Sequence, residues 1–288
     1  MTKKVAVIGS PVKHSLSPAM HNAAYKYLGI DWEYVTYEID SKEISDVVNK
    51  IRSLFNDDNF SGLNITMPHK EAAFNASDKA HGAAQRLGTV NTMIVDETGM
   101  LHGYSTDGDG FIYGLKSNNV KIQGCKFLVI GAGSAAKAIC DSLYMQGAHV
   151  FVTARNRDQS NELCDLVSKV PSPNKGDITS VDFSLRRDYV SDCYAIVNAT
   201  PIGMAGIEHS QELPIDTDAI NSSHVVIDTI YYPAQTVFLR EAKEKGAQTL
   251  NGIPMLLGQG ALAFELMTGC EAPVDVMGDA LEQELKKR

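Results

Sequence analysis

Two short polar segments carry side chains that could bind a small anion and exchange a proton with it. Ser15 and Ser17 could both direct a hydroxyl at an anion, although Ser17 alone is equally well explained as the N-cap of a helix. Asn64 and Thr66 are two residues apart, which places them on one face of a predicted strand. Lys70 follows the end of that strand. The alternative to a functional role is that its charged side chain simply faces solvent, as in most lysines.

A third polar segment surrounds a predicted β-hairpin. Asn91 is predicted on its first strand, and Thr106, Asp107 and Gly108 follow its second strand. Asp107 taken alone is most simply the N-cap of the helix that follows. All three segments place polar side chains beside predicted strand ends.

A glycine-rich loop predicts a binding site for a dinucleotide. The predicted strand 126–130 runs directly into Gly131-Ala-Gly133-Ser-Ala-Ala136 and then into a helix, which is G-x-G-x-x-A in the required context. Gly131 permits a tight turn, Gly133 lets the backbone approach a pyrophosphate, and Ala136 permits close packing of helix on strand. The first N–H groups of that helix would face the phosphates. The alternative is a packing turn in an α/β domain that binds no nucleotide.

The residues after the next predicted strand favour NADP over NAD. NAD enzymes usually place Asp or Glu at the end of this strand to hold the ribose 2′-hydroxyl, and here that position is Ala154. Arg155 and Arg157 follow, and a guanidinium suits a 2′-phosphate through charge-assisted, forked hydrogen bonds. Asp158 argues against NADP, because its carboxylate could repel a 2′-phosphate or bind the ribose 2′-hydroxyl of NAD. Both arginines could also simply face solvent.

The strands that must position these groups alternate with helices along the whole chain. This alternation predicts mostly parallel sheets with right-handed crossovers. The pattern restarts after Asp107, so the sequence predicts two α/β halves, and the polar stretch 170–189 is the predicted long loop. The predicted strands are 5–8, 32–39, 63–67, 90–95, 100–104, 126–130, 149–154, 195–199, 225–230 and 248–250, and the predicted helices are 17–28, 41–55, 108–119, 134–146, 162–169, 236–245, 254–267 and 274–286, with a further helix after Pro68.

Composition and charge exclude several classes of protein. The chain has 288 residues, enough for about two domains, and its 44% hydrophobic and 21% charged residues are ordinary for a globular protein. Its 35 acidic and 26 basic residues give a net charge of −9, a field that repels phosphate backbones. We therefore expect no nucleic-acid partner, whereas a local cluster of donors can still bind a small anionic substrate.

The cysteines and the apolar runs indicate a cytoplasmic location. Five cysteines without a C-x-x-C spacing argue against a disulfide framework and against a zinc site, and they fit a reducing cytosol. The apolar run near the N-terminus is too short for a signal peptide. No run approaches the ~18 apolar residues of a membrane helix, so we expect no membrane partner.

Taken together, these segments resemble the shikimate dehydrogenase family, including its members that accept both quinate and shikimate. The matching motifs occur in family order and cover nearly the whole chain. They are Ser15-Leu-Ser17-Pro, Asn64-Ile-Thr66-Met-Pro-His-Lys70-Glu, Gly88-Thr-Val-Asn91-Thr, Ser105-Thr-Asp107-Gly, Gly131-Ala-Gly-Ser-Ala, Asn198-Ala-Thr-Pro-Ile-Gly-Met204, Asp228-Thr-Ile-Tyr231-Tyr-Pro and Gly252-Ile-Pro-Met-Leu-Leu-Gly-Gln259-Gly.

The resemblance implies two α/β domains separated by a cleft that holds the active site. Residues 1–107 would be the N-terminal substrate domain, and residues 108–250 the C-terminal Rossmann domain that binds NADP. The last helices, within 251–288, would pack back toward the substrate domain. NADP is the implied cofactor and NAD the alternative, no metal is expected, and a homodimer is one possibility.

The resemblance also implies roles for individual residues. Lys70 and Asp107 would be the catalytic pair. Substrate binding would involve Ser15, Ser17 and Tyr231 at a carboxylate and Asn64, Thr66, Asn91, Asp107 and Gln259 at ring hydroxyls. Cofactor binding would involve Gly131, Ala132, Gly133, Ser134, Ala135 and Arg155, with Thr229 and Gly252 beside the nicotinamide.

The activity that the resemblance implies is reversible oxidation of a ring alcohol to a ketone, with shikimate and 3-dehydroshikimate as the pair, in aromatic amino-acid biosynthesis. A quinate dehydrogenase able to use NAD is the first alternative, and a catalytically idle binding homologue is the second. The sequence departs from the family pattern in four places. After the second cofactor strand it has Ala154-Arg155-Asn156 where Asn-Arg-Thr is commoner, which keeps the arginine. Ser134 stands where the family usually has a further Gly, and Gln159 where it has a second arginine. His69 takes a position often held by Phe or Asn, and packing suits it better than a role as base.

Overall fold

A computed structural model describes residues 2–287 of the protein. These residues form two compact units, each with one six-stranded β-sheet. The first unit combines the chain up to Thr106 with the segment from Leu257 onward, and the second runs from Asp107 to Leu256. The predicted fold class, two α/β units, is confirmed. The ranges predicted for the functional domains assign substrate and cofactor binding, and they stay predictions.

Strands and helices alternate in both units. Up to residue 106 they are β1 (Lys3–Gly9), α1 (Ser17–Leu28), β2 (Trp32–Glu38), α2 (Ile44–Leu54), β3 (Phe60–Ile65), α3 (Lys70–Ala76), β4 (Lys79–Ala80), α4 (Ala83–Leu87), β5 (Thr92–Val95) and β6 (Leu101–Tyr104). They continue with α5 (Asp107–Ser117), β7 (Lys126–Ile130), α6 (Ser134–Met145), β8 (His149–Thr153), α7 (Arg157–Ser168), β9 (Asp177–Ser180), a 3-10 helix (Phe183–Asp192), β10 (Ala195–Asn198), β11 (Val225–Asp228), α8 (Val237–Glu244), β12 (Gln248–Leu250), α9 (Ile253–Thr268) and α10 (Val274–Leu285).

The sheet of the first unit is mixed and has the order β2-β1-β3-β5-β6-β4. β1 pairs in parallel with both β2 and β3, so the chain moves to opposite sides of β1 in its first two crossovers. β5 and β6 form the antiparallel hairpin that the sequence predicted. The carboxyl ends of β1 and β3 lie side by side where the strand order reverses, which is where open α/β sheets bind ligands.

An aliphatic core packs against one face of this sheet. Ala6 and Ile8 of β1 and Leu63 and Ile65 of β3 point to that face and pack with apolar residues of α2 and α3. Side chains alternate along a strand, so the residue between the last two, Asn64, points to the opposite face. The core therefore fixes which face of β3 carries the polar side chain.

The sheet of the second unit is parallel throughout and has the order β12-β11-β10-β7-β8-β9. This is the strand order of Rossmann domains, and it reverses between β7 and β10. The interior of β7 is buried on both faces, as parallel strands covered by helices require. The parallel sheet predicted for the second half is confirmed.

Two predictions of local structure within residues 157–192 were wrong. The polar stretch 170–189 is not one long loop, since it contains β9 and most of the 3-10 helix. β9 pairs with β8 at the sheet edge, and Val181 and Val190 are buried, so isolated apolar side chains in a polar run order this segment. The helix predicted over 162–169 begins earlier, at Arg157, because the Asn156 side chain accepts two backbone N–H bonds as its N-cap.

Between α1 and β2 lies a buried group of rings with unpaired polar atoms. His21 is fully buried, and its ring stacks on Tyr34 with 4.4 Å between centroids. Neither ring nitrogen of His21 nor the hydroxyl of Tyr25 has a hydrogen-bond partner within residues 2–287. Burial lowers the pKa of His21 from 6.5 to about 3, because desolvation penalises the imidazolium. The folded protein therefore keeps this histidine neutral.

We expect the first unit to lose stability in mild acid because of His21. Between pH 6.5 and about 3 the unfolded chain takes up a proton that the folded chain excludes, so stability falls as the pH falls, by up to about 1.4 kcal/mol per pH unit. His21→Phe preserves an aromatic ring and removes the titration. Its free energy of unfolding in urea should decline less than that of the parent across this range. Fluorescence of Trp32, the only tryptophan, reports on this unit, and parallel pH curves would contradict the assignment.

Candidate functional site

The ends of β1 and β3 are held together by backbone contacts. The amide N–H of Thr66 donates to the carbonyl of Ile8 at 2.8 Å. A side chain at Gly9 would collide with Thr66, so the two chain segments touch at the glycine. The segment with the two predicted serines follows β1, and the segment with Thr66 and Lys70 follows β3. Both segments therefore begin side by side, at the carboxyl ends of two neighbouring parallel strands.

Asn64 lies at the centre of a buried hydrogen-bond network. It is 6% exposed, and its Oδ1 accepts from the hydroxyl of Tyr34 at 2.7 Å. Its Nδ2 donates to Thr92 Oγ1 at 3.0 Å and to the carbonyl of Asn91 at 3.3 Å. Both amide hydrogens are engaged within the protein, while an amide oxygen has two lone pairs. Oδ1 can therefore accept a second bond from a ligand hydroxyl.

Asn91 extends the same network toward the end of the chain. Its Oδ1 accepts from the N–H of Thr106 at 2.8 Å, and its Nδ2 donates to Thr106 Oγ1 at 3.0 Å and lies 3.5 Å from Gln259 Oε1. The structure thus brings together Asn64, Asn91 and Gln259, three predicted binding residues that are distant in sequence. Asn91 immediately precedes β5, and the prediction that it lies within the strand was wrong.

Lys70 begins α3 and is half-buried. Its carbonyl accepts from the N–H of Val90 at 2.9 Å, which ties the start of α3 to the residue before Asn91. His69, the preceding residue, is buried, and its Nε2 lies 2.7 Å from the carbonyl of Ile39. This contact fits the packing role expected for His69.

Ser17 is not the N-cap of α1, and that alternative was wrong. The helix begins at Ser17, Leu16 is the N-cap residue, and the N–H of Ser17 donates to Ser15 Oγ at 3.2 Å. The oxygen of Ser15 therefore supplies the acceptor that the first helical turn needs. Ser17 is 6% exposed, and it lies near the phenol of Tyr34, whose pKa it acts to lower.

Asp107 is the first residue of α5 and is 8% exposed. The helix was predicted to begin at Gly108, one residue later, with Asp107 as its cap. Its carboxylate instead lies in the first turn, where the positive end of the helix dipole favours a negative charge. A side chain at Gly108 would collide with Ser142, so α5 packs closely on α6 at this point.

Sequence reasoning missed Tyr34 and Thr92, which hold predicted residues in place. Thr92 Oγ1 accepts from Asn64 and donates to Asn91 Oδ1 at 3.2 Å. Tyr34 is 2% exposed although it lies in the edge strand β2. The alternation of Trp32 and Tyr34 along β2 indicates one face of a strand, but it does not distinguish a hydrogen-bonding tyrosine from a packing one.

The glycine loop of the second unit lies where its strand order reverses. Gly131 has a φ of 123°, which residues with side chains rarely adopt, and a Cβ there would lie 2.8 Å from the carbonyl oxygen of Ala199 after β10. Gly133 has open space instead. α6 begins next at Ser134 with no side-chain cap, so its first N–H groups have no side-chain acceptor. This donor set fits the phosphates of a dinucleotide. Partly exposed residues of the loop are Ala132, Ser134 and Ala135.

A buried carboxylate orders the loops after β10 and β11. Asp228 is fully buried, and its oxygens accept from the N–H of Ile230 at 3.0 Å, from Asn198 Nδ2 at 3.2 Å and from Thr236 Oγ1 at 2.8 Å. Desolvation raises the pKa of Asp228 to about 6, and these hydrogen bonds oppose the rise. The carboxylate therefore holds three chain segments in one arrangement.

The loop after Asp228 brings Thr229 beside Gly252. The N–H of Gly252 donates to the carbonyl of Ile230 at 2.9 Å, and a side chain at Gly252 would collide with the carbonyl oxygen of Thr229. Only glycine fits there. Tyr231 follows in the same loop and is partly exposed. It belongs to the second unit, whereas the two serines with which it was grouped belong to the first.

Arg155 and Arg157 have different surroundings. Arg157 begins α7, and its guanidinium forms an ion pair with Asp182 at 3.1 Å. Arg155 is exposed just after β8 and forms no ion pair with any residue in the described part of the chain. Asp158 lies exposed in the first turn of α7, where its N–H donates to the Asn156 cap. Arg155 is therefore the arginine that remains available to an external phosphate.

Residues 2–287 contain neither a cluster of metal ligands nor a helix of membrane-spanning length and hydropathy. No group of three or more His, Cys, Asp or Glu side chains in this range is placed to hold a metal ion. No helix in this range is long and apolar enough to cross a membrane. All five cysteines are free thiols.

Family profiles match three successive stretches of the chain. The shikimate dehydrogenase substrate binding domain matches residues 7–93, shikimate / quinate 5-dehydrogenase matches 115–192, and the shikimate 5′-dehydrogenase C-terminal domain matches 252–282. A shikimate dehydrogenase (NADP(+)) of Carboxydothermus hydrogenoformans is 38% identical over 281 residues, which are 97% of this chain and 96% of that protein. The chain belongs to the shikimate dehydrogenase family.

Solved structures share the fold of this shikimate dehydrogenase family member. Shikimate 5-dehydrogenase from Thermus thermophilus, in complex with NADP(H) and shikimate, has a TM-score of 0.85 and 33% identity over 98% of this chain and 99% of that chain. Quinate dehydrogenase from Corynebacterium glutamicum, in complex with NAD, has a TM-score of 0.86 and 28% identity over 98% and 99% of the two chains. The resemblance inferred from the sequence motifs is confirmed.

Proposed function

We propose that this protein is an NADP-dependent shikimate dehydrogenase, which reversibly reduces 3-dehydroshikimate to shikimate in aromatic amino-acid biosynthesis. The observation that carries the proposal is the buried network of Asn64, Asn91 and Gln259, with Lys70 tied to the same segment at the ligand-binding edge of a sheet. Most of this region matches the substrate binding domain of the family. Relatives of similar sequence are named for the same activity and cofactor.

The proposed substrate contacts suit a ring that carries a carboxylate and several hydroxyls. Serine and tyrosine hydroxyls donate to a carboxylate without adding charge, and amides can both donate to and accept from a ring alcohol. The amide of Asn64 has its hydrogens occupied, so its oxygen would accept from the ring. The proposed contacts are Ser15, Ser17 and Tyr231 for the carboxylate and Asn64, Thr66, Asn91, Asp107 and Gln259 for the hydroxyls.

The second unit offers the groups that NADP needs. The Gly131–Ala135 loop and the uncapped start of α6 would bind the pyrophosphate through main-chain N–H groups. Arg155 would bind the 2′-phosphate. The backbone of Gly252 lies directly against the carbonyl of Thr229, with no side chain between them. The nicotinamide would lie beside this stretch of backbone. When bound, the cofactor supplies or accepts the hydride.

The chain itself must orient the ring and move one proton. In the reduction, negative charge develops on the carbonyl oxygen of the substrate. The ammonium group of Lys70 would stabilise that charge and deliver the proton. The carboxylate of Asp107 would orient the ammonium toward that oxygen.

Quinate is the specific alternative substrate. The likeness to a quinate dehydrogenase in complex with NAD supports keeping both quinate and NAD under test. Quinate carries one more ring hydroxyl than shikimate, so discrimination between them depends on the shape of the pocket. The homodimer and the cytoplasmic location expected from the sequence are also proposals, and sedimentation analysis would test the first.

Initial rates test the proposed function directly. The purified protein should oxidise shikimate with NADP faster than it oxidises quinate with NADP or either substrate with NAD. Higher rates with quinate and NAD would replace the proposal with the alternative. A folded protein that turns over none of the four pairs would refute dehydrogenase activity and favour a binding homologue.

Removal of the Lys70 side chain should abolish most catalysis. Lys70→Ala should lower kcat by about 10²–10⁴, the usual contribution of a positioned acid or base. KM for shikimate should change little, because the carboxylate and the other hydroxyls have their own partners. Lys50→Ala, which removes an exposed lysine of α2, is the matched control and should keep the parent rate.

The same experiment includes Asp107. Asp107→Ala should also lower kcat, and the double variant should lose less than the product of the two losses, because the pair acts as a unit. A folded Lys70→Ala protein that oxidised shikimate at the parent rate would show that another group handles the proton. Asp107 acting alone would then be the first candidate.

Cofactor selection should depend on Arg155 and not on its neighbour. Arg155→Ala should weaken NADP binding by about 1.5–3 kcal/mol, the value of a charged hydrogen bond, and leave NAD binding nearly unchanged. Arg157→Ala is the matched control, since that guanidinium is already paired with Asp182. Titration of each folded variant with both cofactors measures the effect. Equal losses for NADP and NAD would show that Arg155 does not recognise the 2′-phosphate.

A further inference from the structure

The phenol of Tyr34 connects two parts of the candidate substrate site. Tyr34 lies in β2 at the edge of the sheet, and its hydroxyl donates to Asn64 Oδ1 at 2.7 Å. Because β1 lies between β2 and β3, the two side chains together cross the width of a strand. Ser17, in the first turn of α1, lies near the same phenol and acts to lower its pKa. The phenol therefore lies beside residues of two segments that follow different strands.

The ring of Tyr34 is itself fixed by α1. Asn22 Oδ1 accepts from the backbone N–H of Tyr34 at 2.8 Å, and Asn22 Nδ2 donates to the carbonyl of Tyr34 at 2.9 Å. His21 stacks on the phenol ring with an angle of 18° between the planes. The position of the phenol oxygen is therefore set by the helix and the sheet, and not by its bond to Asn64. A residue that orients others must be held independently of them.

The phenol completes the set of partners that decides which way the amide of Asn64 faces. An amide rotated by half a turn would turn its oxygen toward the carbonyl of Asn91, which can only accept, and would take the amide oxygen away from the phenol proton. Burial raises the pKa of Tyr34 well above its ordinary value, and the nearby Tyr25 adds to the rise, so the phenol keeps its proton and remains a donor. The acceptor-only carbonyl of Asn91 and the protonated phenol of Tyr34 together hold the amide oxygen on the side of the phenol.

We propose that Tyr34 is a positioning residue for the ring substrate, one that holds the Asn64 amide in its binding orientation without touching the substrate itself. The inference rests on the proposed function, since it requires Asn64 to bind the ring. Its consequence is that loss of one oxygen atom behind the site weakens substrate binding while the proton-transfer group, Lys70, is untouched.

Two tyrosine variants separate this role from a structural one. Tyr34→Phe removes only the hydroxyl and should raise KM for shikimate about tenfold, because a buried acceptor loses its donor, with kcat changed by less than about threefold. KM for NADP should stay at the parent value. Tyr25→Phe is the matched control. It removes a buried hydroxyl of the same unit that has no hydrogen-bond partner within residues 2–287, and it should leave both KM values unchanged.

A double variant tests whether Tyr34 acts through Asn64. Asn64→Ala should itself raise KM for shikimate. In that background Tyr34→Phe should raise KM by less than about twofold, since the group it orients is gone. Equal effects of Tyr34→Phe in the two backgrounds would overturn the route through Asn64.

The remaining outcomes are also decisive. An unchanged KM for shikimate in Tyr34→Phe, or a change equal to that of Tyr25→Phe, would overturn the proposal. Failure of Tyr34→Phe to fold while Tyr25→Phe folds would assign the phenol to structure alone. The parent rates distinguish a failure of the proposed function, because a parent that prefers quinate refutes shikimate as substrate and leaves the same comparison to be made with quinate.

Discussion

Two buried amides, Asn64 and Asn91, impose the constraint on which the first unit depends. An amide buried without partners costs roughly 2–7 kcal/mol, so each donor and acceptor must be met inside the protein. The partners come from separate parts of the chain and include Tyr34, Thr106 and Gln259. Satisfying the amides therefore draws an edge strand, the end of a hairpin and a late helix to one point. The polar groups that a ligand would use are the same groups that make this arrangement necessary.

The two sheets place polar groups at a reversal of strand order, but they use different chemistry there. In the first unit the groups are side chains, whose shape and hydrogen-bonding pattern can distinguish one small polar ring from another. In the second they are main-chain N–H groups beside Gly131 and Gly133, which suit any phosphate at a helix start. Asp228 orders the loops of the second unit in the same way as the two amides order the first. A buried carboxylate needs hydrogen-bond donors, and here they come from Asn198, Ile230 and Thr236. Side chains therefore provide the polar groups of the first site, and main-chain N–H groups provide those of the second.

The sequence predicted the fold best where long patterns coincide. A buried strand followed by a glycine loop and a helix permits few alternatives, so the region around Gly131 was predicted correctly. Ser17 was misread because a helix start favours serine both as a cap and as a first-turn residue, and Ser15 decides between them. The link between Tyr34 and Asn64 could not be predicted, since it exists only because β1 lies between their strands. A single residue such as Lys70 or Asp107 could be explained by either a structural or a functional role. The functional roles were assigned only through the resemblance to the family.

The first unit is assembled from two stretches of chain separated by the entire second unit. Gly62 of β3 faces Met267 of α9 closely enough that a Cβ would lie 3.0 Å from its Cγ, and Gly260 faces Met20 of α1. A ribosome therefore completes the second unit before it has made α10 and most of α9, the helices that complete the first. The surfaces of β3 and α1 that α9 contacts, and the surface of α1 that α10 contacts, stay uncovered until those two helices have been made. The order of synthesis therefore leaves the first unit incomplete while the second unit already has all of its strands.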